Sequence, residues 1–265
     1  MKSILTILVL FPFLFSAAGA NNSLTDAQLE QIKFDQKLDA QVSPELKFHD
    51  ETGKLIRLGD YFGRRPMVLM LGYYKCPMLC TLSLDGLTES LRDLKWSAGK
   101  NFDVIFVSVD PAETPALAAS KKKTYLRDYG RTGSKNGWHF LTGDDNSIQT
   151  LAKEIGFHYA YDSGLKEFVH PSGFVVLTPQ GKVAHYFFGV NFSAKEVNAA
   201  LRDADKKKIS SPVQELILLC CEYSPLRGKY GNLVMNLVRA GGIGTVLALG
   251  IYFARPQLRK MRRTK

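Results

Sequence analysis

The apolar run Met67-Val68-Leu69-Met70-Leu71 leads almost directly into Cys76-Pro77-Met78-Leu79-Cys80, and this junction constrains the fold more than any other segment. A short apolar run of this kind reads as a buried strand. The positions Leu79, Leu82, Leu84, Leu87 and Leu91 predict a helix reaching about Leu94. A strand that ends in a turn and opens a helix puts Cys76 at or near the helix N-terminus, where backbone N–H groups and the helix dipole favour a thiolate. The spacing of four predicts Cys80 one turn further along the same face, with Cβ atoms about 5–6 Å apart. Two thiols at that separation can close a disulfide or hold one soft metal ion.

The order of the other segments extends the constraint. Leu46–Leu58, with Asp50-Glu51-Thr52-Gly53 at its centre, reads as a hairpin. Phe102–Val109 is a near-continuous apolar strand of the buried, parallel type, ended by Asp110-Pro111. Thr114-Pro115 opens a helix to about Tyr129, since proline is tolerated in a first turn. A short strand Trp138–Leu141, a helix Asp144–Ile155 and a hairpin of Phe174–Thr178 with Val183–Phe188 follow. Ser193, with Glu196 at capping-box spacing, starts a last helix to about Asp205. There are no internal repeats, and residues 21–44 form a polar, partly helical leader. Strand–helix–strand–helix followed by a hairpin and a helix is the thioredoxin order. The expected class is α/β, with one thioredoxin-like domain over residues 45–208.

Both ends address a membrane. Residues 1–20 combine Lys2, an apolar run from Ile4 to Phe15 and Ala18-Gly19-Ala20, the pattern of a cleaved secretory signal peptide. Residues 233–254 predict a transmembrane helix, because twenty-two helical residues rise about 33 Å. Residues 255–265 carry six Lys and Arg and no acid, so the positive-inside rule makes that tail cytoplasmic and puts the domain outside. The expected location is the cytoplasmic membrane, single-pass, with the soluble domain on the periplasmic face. Of the formal +10, most lies in residues 209–265, with nine Lys and Arg against Glu215 and Glu222. A nucleic-acid binder would carry its charge on the folded domain, so that class is excluded. Cys220-Cys221 lies in a juxtamembrane segment, residues 209–232. It reads either as an inert pair or as a second thiol site near the membrane surface.

Candidates for a third metal ligand are His49, His139, His158, His170 and His185. His139 and His185 fall in apolar strands with structural roles. His170 lies in Phe168-Val169-His170-Pro171-Ser172-Gly173, read as a loop before the strand Phe174–Thr178. In a thioredoxin-like fold that loop faces the cysteine turn, which makes His170 the choice.

The chain resembles the Sco/SenC family, the copper-binding assembly factors of cytochrome c oxidase. The matching residues are Gly72-Tyr73-Tyr74-Lys75-Cys76-Pro77-Met78-Leu79-Cys80 and Val107-Ser108-Val109-Asp110-Pro111 with Thr114-Pro115. Trp138-His139-Phe140-Leu141-Thr142-Gly143 and the His170 segment complete the match over roughly residues 45–205. The resemblance implies copper held by Cys76, Cys80 and His170. It implies a membrane-anchored metallochaperone serving the copper-site subunit of a cytochrome c oxidase, with a thiol reductant as second partner. The family commonly has histidine at Lys75, an acid at Met78 and proline at Thr81, and many members are anchored at the N-terminus. The alternative is an enzyme, a thiol–disulfide oxidoreductase with Cys76 attacking and Cys80 resolving. A thiol peroxidase ranks third, for want of a peroxide motif.

Overall fold

The computed structural model describes residues 24–29, 31–76, 79–212, 219–220, 241–242 and 245. It divides into two units, residues 1–220 and 221–265. In the second, Gly241, Gly242 and Thr245 are helical. The expected signal peptide and nearly all of the expected membrane helix lie outside the described residues. Among those described, no helix is long and apolar enough to cross a membrane.

In the first unit, α1 (Asp26–Leu29) precedes a small hairpin of β1 (Lys47–His49) and β2 (Leu55–Arg57). Then come β3 (Met67–Gly72), α2 (Leu79–Arg92), β4 (Asp103–Ser108), α3 (Pro115–Tyr129), β5 (Trp138–Leu141) and α4 (Asp145–Glu154). The chain continues through β6 (Ala160–Asp162), β7 (Glu167–Pro171), β8 (Gly173–Leu177), β9 (Val183–Phe188) and α5 (Ala194–Asp205) to β10 (Leu219–Cys220). The central sheet has the order β5-β4-β3-β8-β9. Strands β3, β4 and β5 pair in parallel, and β8 and β9 add antiparallel. This is the thioredoxin-like arrangement expected from the order of elements.

Strands β3 and β4 are buried along their whole length, because both sheet faces are covered. Alternate residues of β3 feed two cores, as a strand's period of two requires. Val68 and Met70 join Leu84, Leu87 and Leu91 of α2, Tyr125 and Tyr129 of α3, and Val197 and Leu201 of α5. Met67, Leu69 and Leu71 face Ile148 and Leu151 of α4, and Phe48 and Ile56 of the hairpin. Phe34 and Val42 belong to this second core, and Phe34 bridges to Phe157. The later part of the leader is therefore packed into the domain. Its apolar residues are too isolated in sequence to show a period.

Helix α2 is described from Leu79, with Cys76 in the segment ahead of it, and Pro77 and Met78 lie outside the described residues. Two local expectations are corrected. His170 sits in a strand, β7, and not in a loop. Ser193 is the N-cap of α5, but its side chain makes no capping hydrogen bond.

Candidate metal centre

The turn carrying Cys76 is anchored from beneath by a carboxylate. Glu113, 5% exposed, follows β4 at the Asp110-Pro111 turn. Its Oε2 accepts the backbone N–H of Tyr74 at 2.7 Å and the Ser108 hydroxyl at 2.6 Å, while Oε1 accepts the Lys75 N–H at 2.8 Å. Burial raises the Glu113 pKa, and these three donors pull the other way. The Tyr74 hydroxyl donates to the Leu141 carbonyl at 2.8 Å, and burial holds that phenol well above its ordinary value. Cys76 follows at once, with its N–H on the Tyr73 carbonyl at 3.3 Å. The Thr81 hydroxyl, at the position where the family commonly has proline, donates to the Cys76 carbonyl at 3.4 Å.

Cys76 itself is 8% exposed and belongs to the core that includes Tyr73 and Leu71. Cys80 is the second residue of α2. His170 is 1% exposed on β7. Its Nδ1 lies 2.9 Å from the Pro171 carbonyl. A carbonyl oxygen only accepts, so Nδ1 carries the proton, and in the neutral ring the lone pair is on Nε2. The Tyr73 ring meets His170 edge-on at 6.1 Å, and Phe157 flanks it at 5.6 Å. Tyr73 therefore links the cysteine turn to the histidine strand. Among the described residues no group of three His, Cys, Asp or Glu converges. The Cys80 side chain lies outside them.

Helix α2 and the end of β7 are joined directly. The hydroxyls of Ser83 and Ser172, both buried, hydrogen-bond to each other, and Ser172 also donates to the Gly189 carbonyl at 3.0 Å. This knot fixes the helix that begins at the cysteines against the residue two positions after His170.

The other histidines stand apart. His158 pairs with Asp35 at 2.7 Å on the surface. The His139 ring packs against Tyr61 with centroids 4.2 Å apart and planes tilted by 42°, and burial lowers its pKa to about 4. Its 4.0 Å distance to Asp103 Oδ1 is too long for a hydrogen bond, so burial wins over the carboxylate. Burial also lowers the pKa of His185. The roles of Glu113, Tyr73 and the Ser83–Ser172 pair were not legible in the sequence. Glu113 lies between the matched residues Asp110-Pro111 and Thr114-Pro115, but only the fold turns it toward the cysteine turn.

The SCO1/SenC family profile matches residues 34–204. The chain belongs to the SCO1/SenC family. The match begins at Phe34, the first buried aromatic of the second core, and ends within α5. A search of curated protein sequences finds no match. Among solved structures, a candidate electron transfer protein from Aquifex aeolicus VF5 is 26% identical, with a TM-score of 0.57, covering 64% of this chain and 95% of that one. BsSco, a member of the Sco family of cytochrome c oxidase assembly proteins in which a disulfide switch was identified, is 22% identical with a TM-score of 0.51, covering 65% and 97%. Arabidopsis thaliana ScoI, solved with copper bound, is 18% identical with a TM-score of 0.50, covering 61% and 96%. The last two share the fold with this SCO1/SenC chain.

Proposed function

We propose that this SCO1/SenC protein is a copper metallochaperone. In this reading Cys76 and Cys80 are the thiolate donors and His170 Nε2 the nitrogen donor, and the copper ion is cargo. The observation that carries the reading is the His170 ring, buried and oriented by Nδ1–H on the Pro171 carbonyl. A ligand imidazole is commonly held this way, with its second nitrogen fixed by a backbone or carboxylate acceptor. Two sulfurs and one imidazole form a soft set suited to copper(I), and loading releases the thiol protons. Burial of Cys76 supports metal holding over disulfide exchange, because a reactive thiol needs an accessible, electropositive site.

Delivery requires a docking surface beside the donors. An open groove lined by Tyr73, Lys75, Asp110, Pro111, Tyr161 and Phe168 adjoins the cysteine turn. Tyr161, 51% exposed, offers a large apolar contact there. The proposed recipient is the copper-site subunit of a cytochrome c oxidase, reached from the outer face of the membrane, with the domain anchored by residues 233–254. Ligand exchange would pass the ion on, and a thiol reductant would keep Cys76 and Cys80 loadable.

Copper titration of wild-type protein against His170→Ala tests the reading. Tight equimolar binding should collapse in the variant. Weak binding that ignores the substitution, together with strong disulfide reductase activity, would replace the chaperone by the oxidoreductase.

A further inference from the structure

Leu219 and Cys220 pair with the histidine strand. Strand β7 lies in the middle of a three-stranded sheet, with β6 on one side and β10 on the other. The β10 pairing is antiparallel, in the register Leu219↔Pro171 and Cys220↔His170. Directly opposed residues in such a ladder have Cα atoms about 4.5–5.5 Å apart and lie on the same face of the sheet. Cys220 thus occupies the register position opposite the proposed nitrogen donor, 140 residues along the chain from Cys80.

We infer that Cys220 supplies a third thiolate to the metal centre of Cys76, Cys80 and His170. The inference rests on the copper reading of that centre. A soft ion accepts further sulfur donors readily, and coordination of the Cys220 sulfur releases one proton to solvent with no change in oxidation state. The strand that carries the donor is two residues long and lies at a sheet edge.

The test uses the full chain in detergent, reduced, with copper(I) alone as the probe. X-ray absorption at the copper edge counts the sulfur neighbours of the ion. Wild type should show one more sulfur than Cys220→Ser, while Cys221→Ser should match wild type. A count unchanged by Cys220→Ser, with copper still bound stoichiometrically, overturns the inference and leaves the chaperone reading standing. Wild-type protein that holds no copper overturns both. A second measurement needs neither metal nor a Cys220 variant. Dibromobimane, which bridges neighbouring thiols, should join Cys220 to Cys76 or Cys80 in metal-free protein, as read by peptide mass spectrometry. Absence of that bridge in protein whose thiols all react singly would overturn the inference even if Cys220→Ser failed to fold.

Discussion

Glu113 holds three donors with one carboxylate, and two of them are the backbone N–H groups of the residues preceding Cys76. Glu113→Gln keeps the shape but turns one acceptor into a donor, so one N–H or the Ser108 hydroxyl loses its partner. An unsatisfied buried group costs on the order of 1–3 kcal/mol. The expected result is a lower melting temperature and weaker copper binding in the same variant. Copper affinity equal to wild type would show that the turn is held without Glu113. His139 gives a pH signature. Its pKa is depressed by burial to about 4, whereas in the unfolded chain it is ordinary. The unfolded state therefore binds more protons in between, and stability falls as pH drops from about 6.5 towards 4, by on the order of 3 kcal/mol. Urea unfolding across that window should show the slope, and His139→Gln, which cannot titrate, should lack its share. An unchanged slope would mean that other groups dominate acid unfolding.

At the scale of elements, α2 is the part of the site with the tightest fit. A Cβ on Gly86 would lie 1.9 Å from the Val190 carbonyl oxygen, so the helix is pressed against backbone at that point. In a free helix, glycine to alanine gains about 1 kcal/mol. Here Gly86→Ala should instead destabilise, by on the order of 1–3 kcal/mol, because α2 or the Val190 segment must move. A urea midpoint at or above wild type would contradict this packing. The same elements show what a sequence can disclose. Strands β3 and β4 and helix α2 were legible because long apolar runs and a 3.6-residue period survive without knowledge of partners. The β6–β7 hairpin was not. Its strands have three and five residues, β6 is only partly buried, and Pro171-Ser172 after His170 looks like a loop. His170 was identifiable as a residue, but its strand was hidden. A two-residue β10 has no period to read at all, and its register with His170 exists only in the folded chain.

For the whole molecule, the proposed function depends on which side of a membrane Cys76, Cys80 and His170 face, and the distribution of charge bears on that side. Residues 240–254 contain no Asp, Glu, Lys or Arg, while Arg255, Arg259, Lys260, Arg262, Arg263 and Lys265 follow without an acid. Each Lys or Arg near an anionic cytoplasmic leaflet gains about 1 kcal/mol, and none of that gain is available on the opposite side. In the proposed span Arg239 would stand at the other boundary, where a long stem can reach the head groups. In the proposed topology such a span would hold residues 21–232 outside, where thiol sites need a dedicated reductant to stay loadable. A reporter active only in the periplasm should therefore be silent when fused after Lys265 and active when fused after Ser211. The reverse pattern would put Cys76, Cys80 and His170 in the cytoplasm. It would then separate this chain from any client whose copper site is assembled on the outer face.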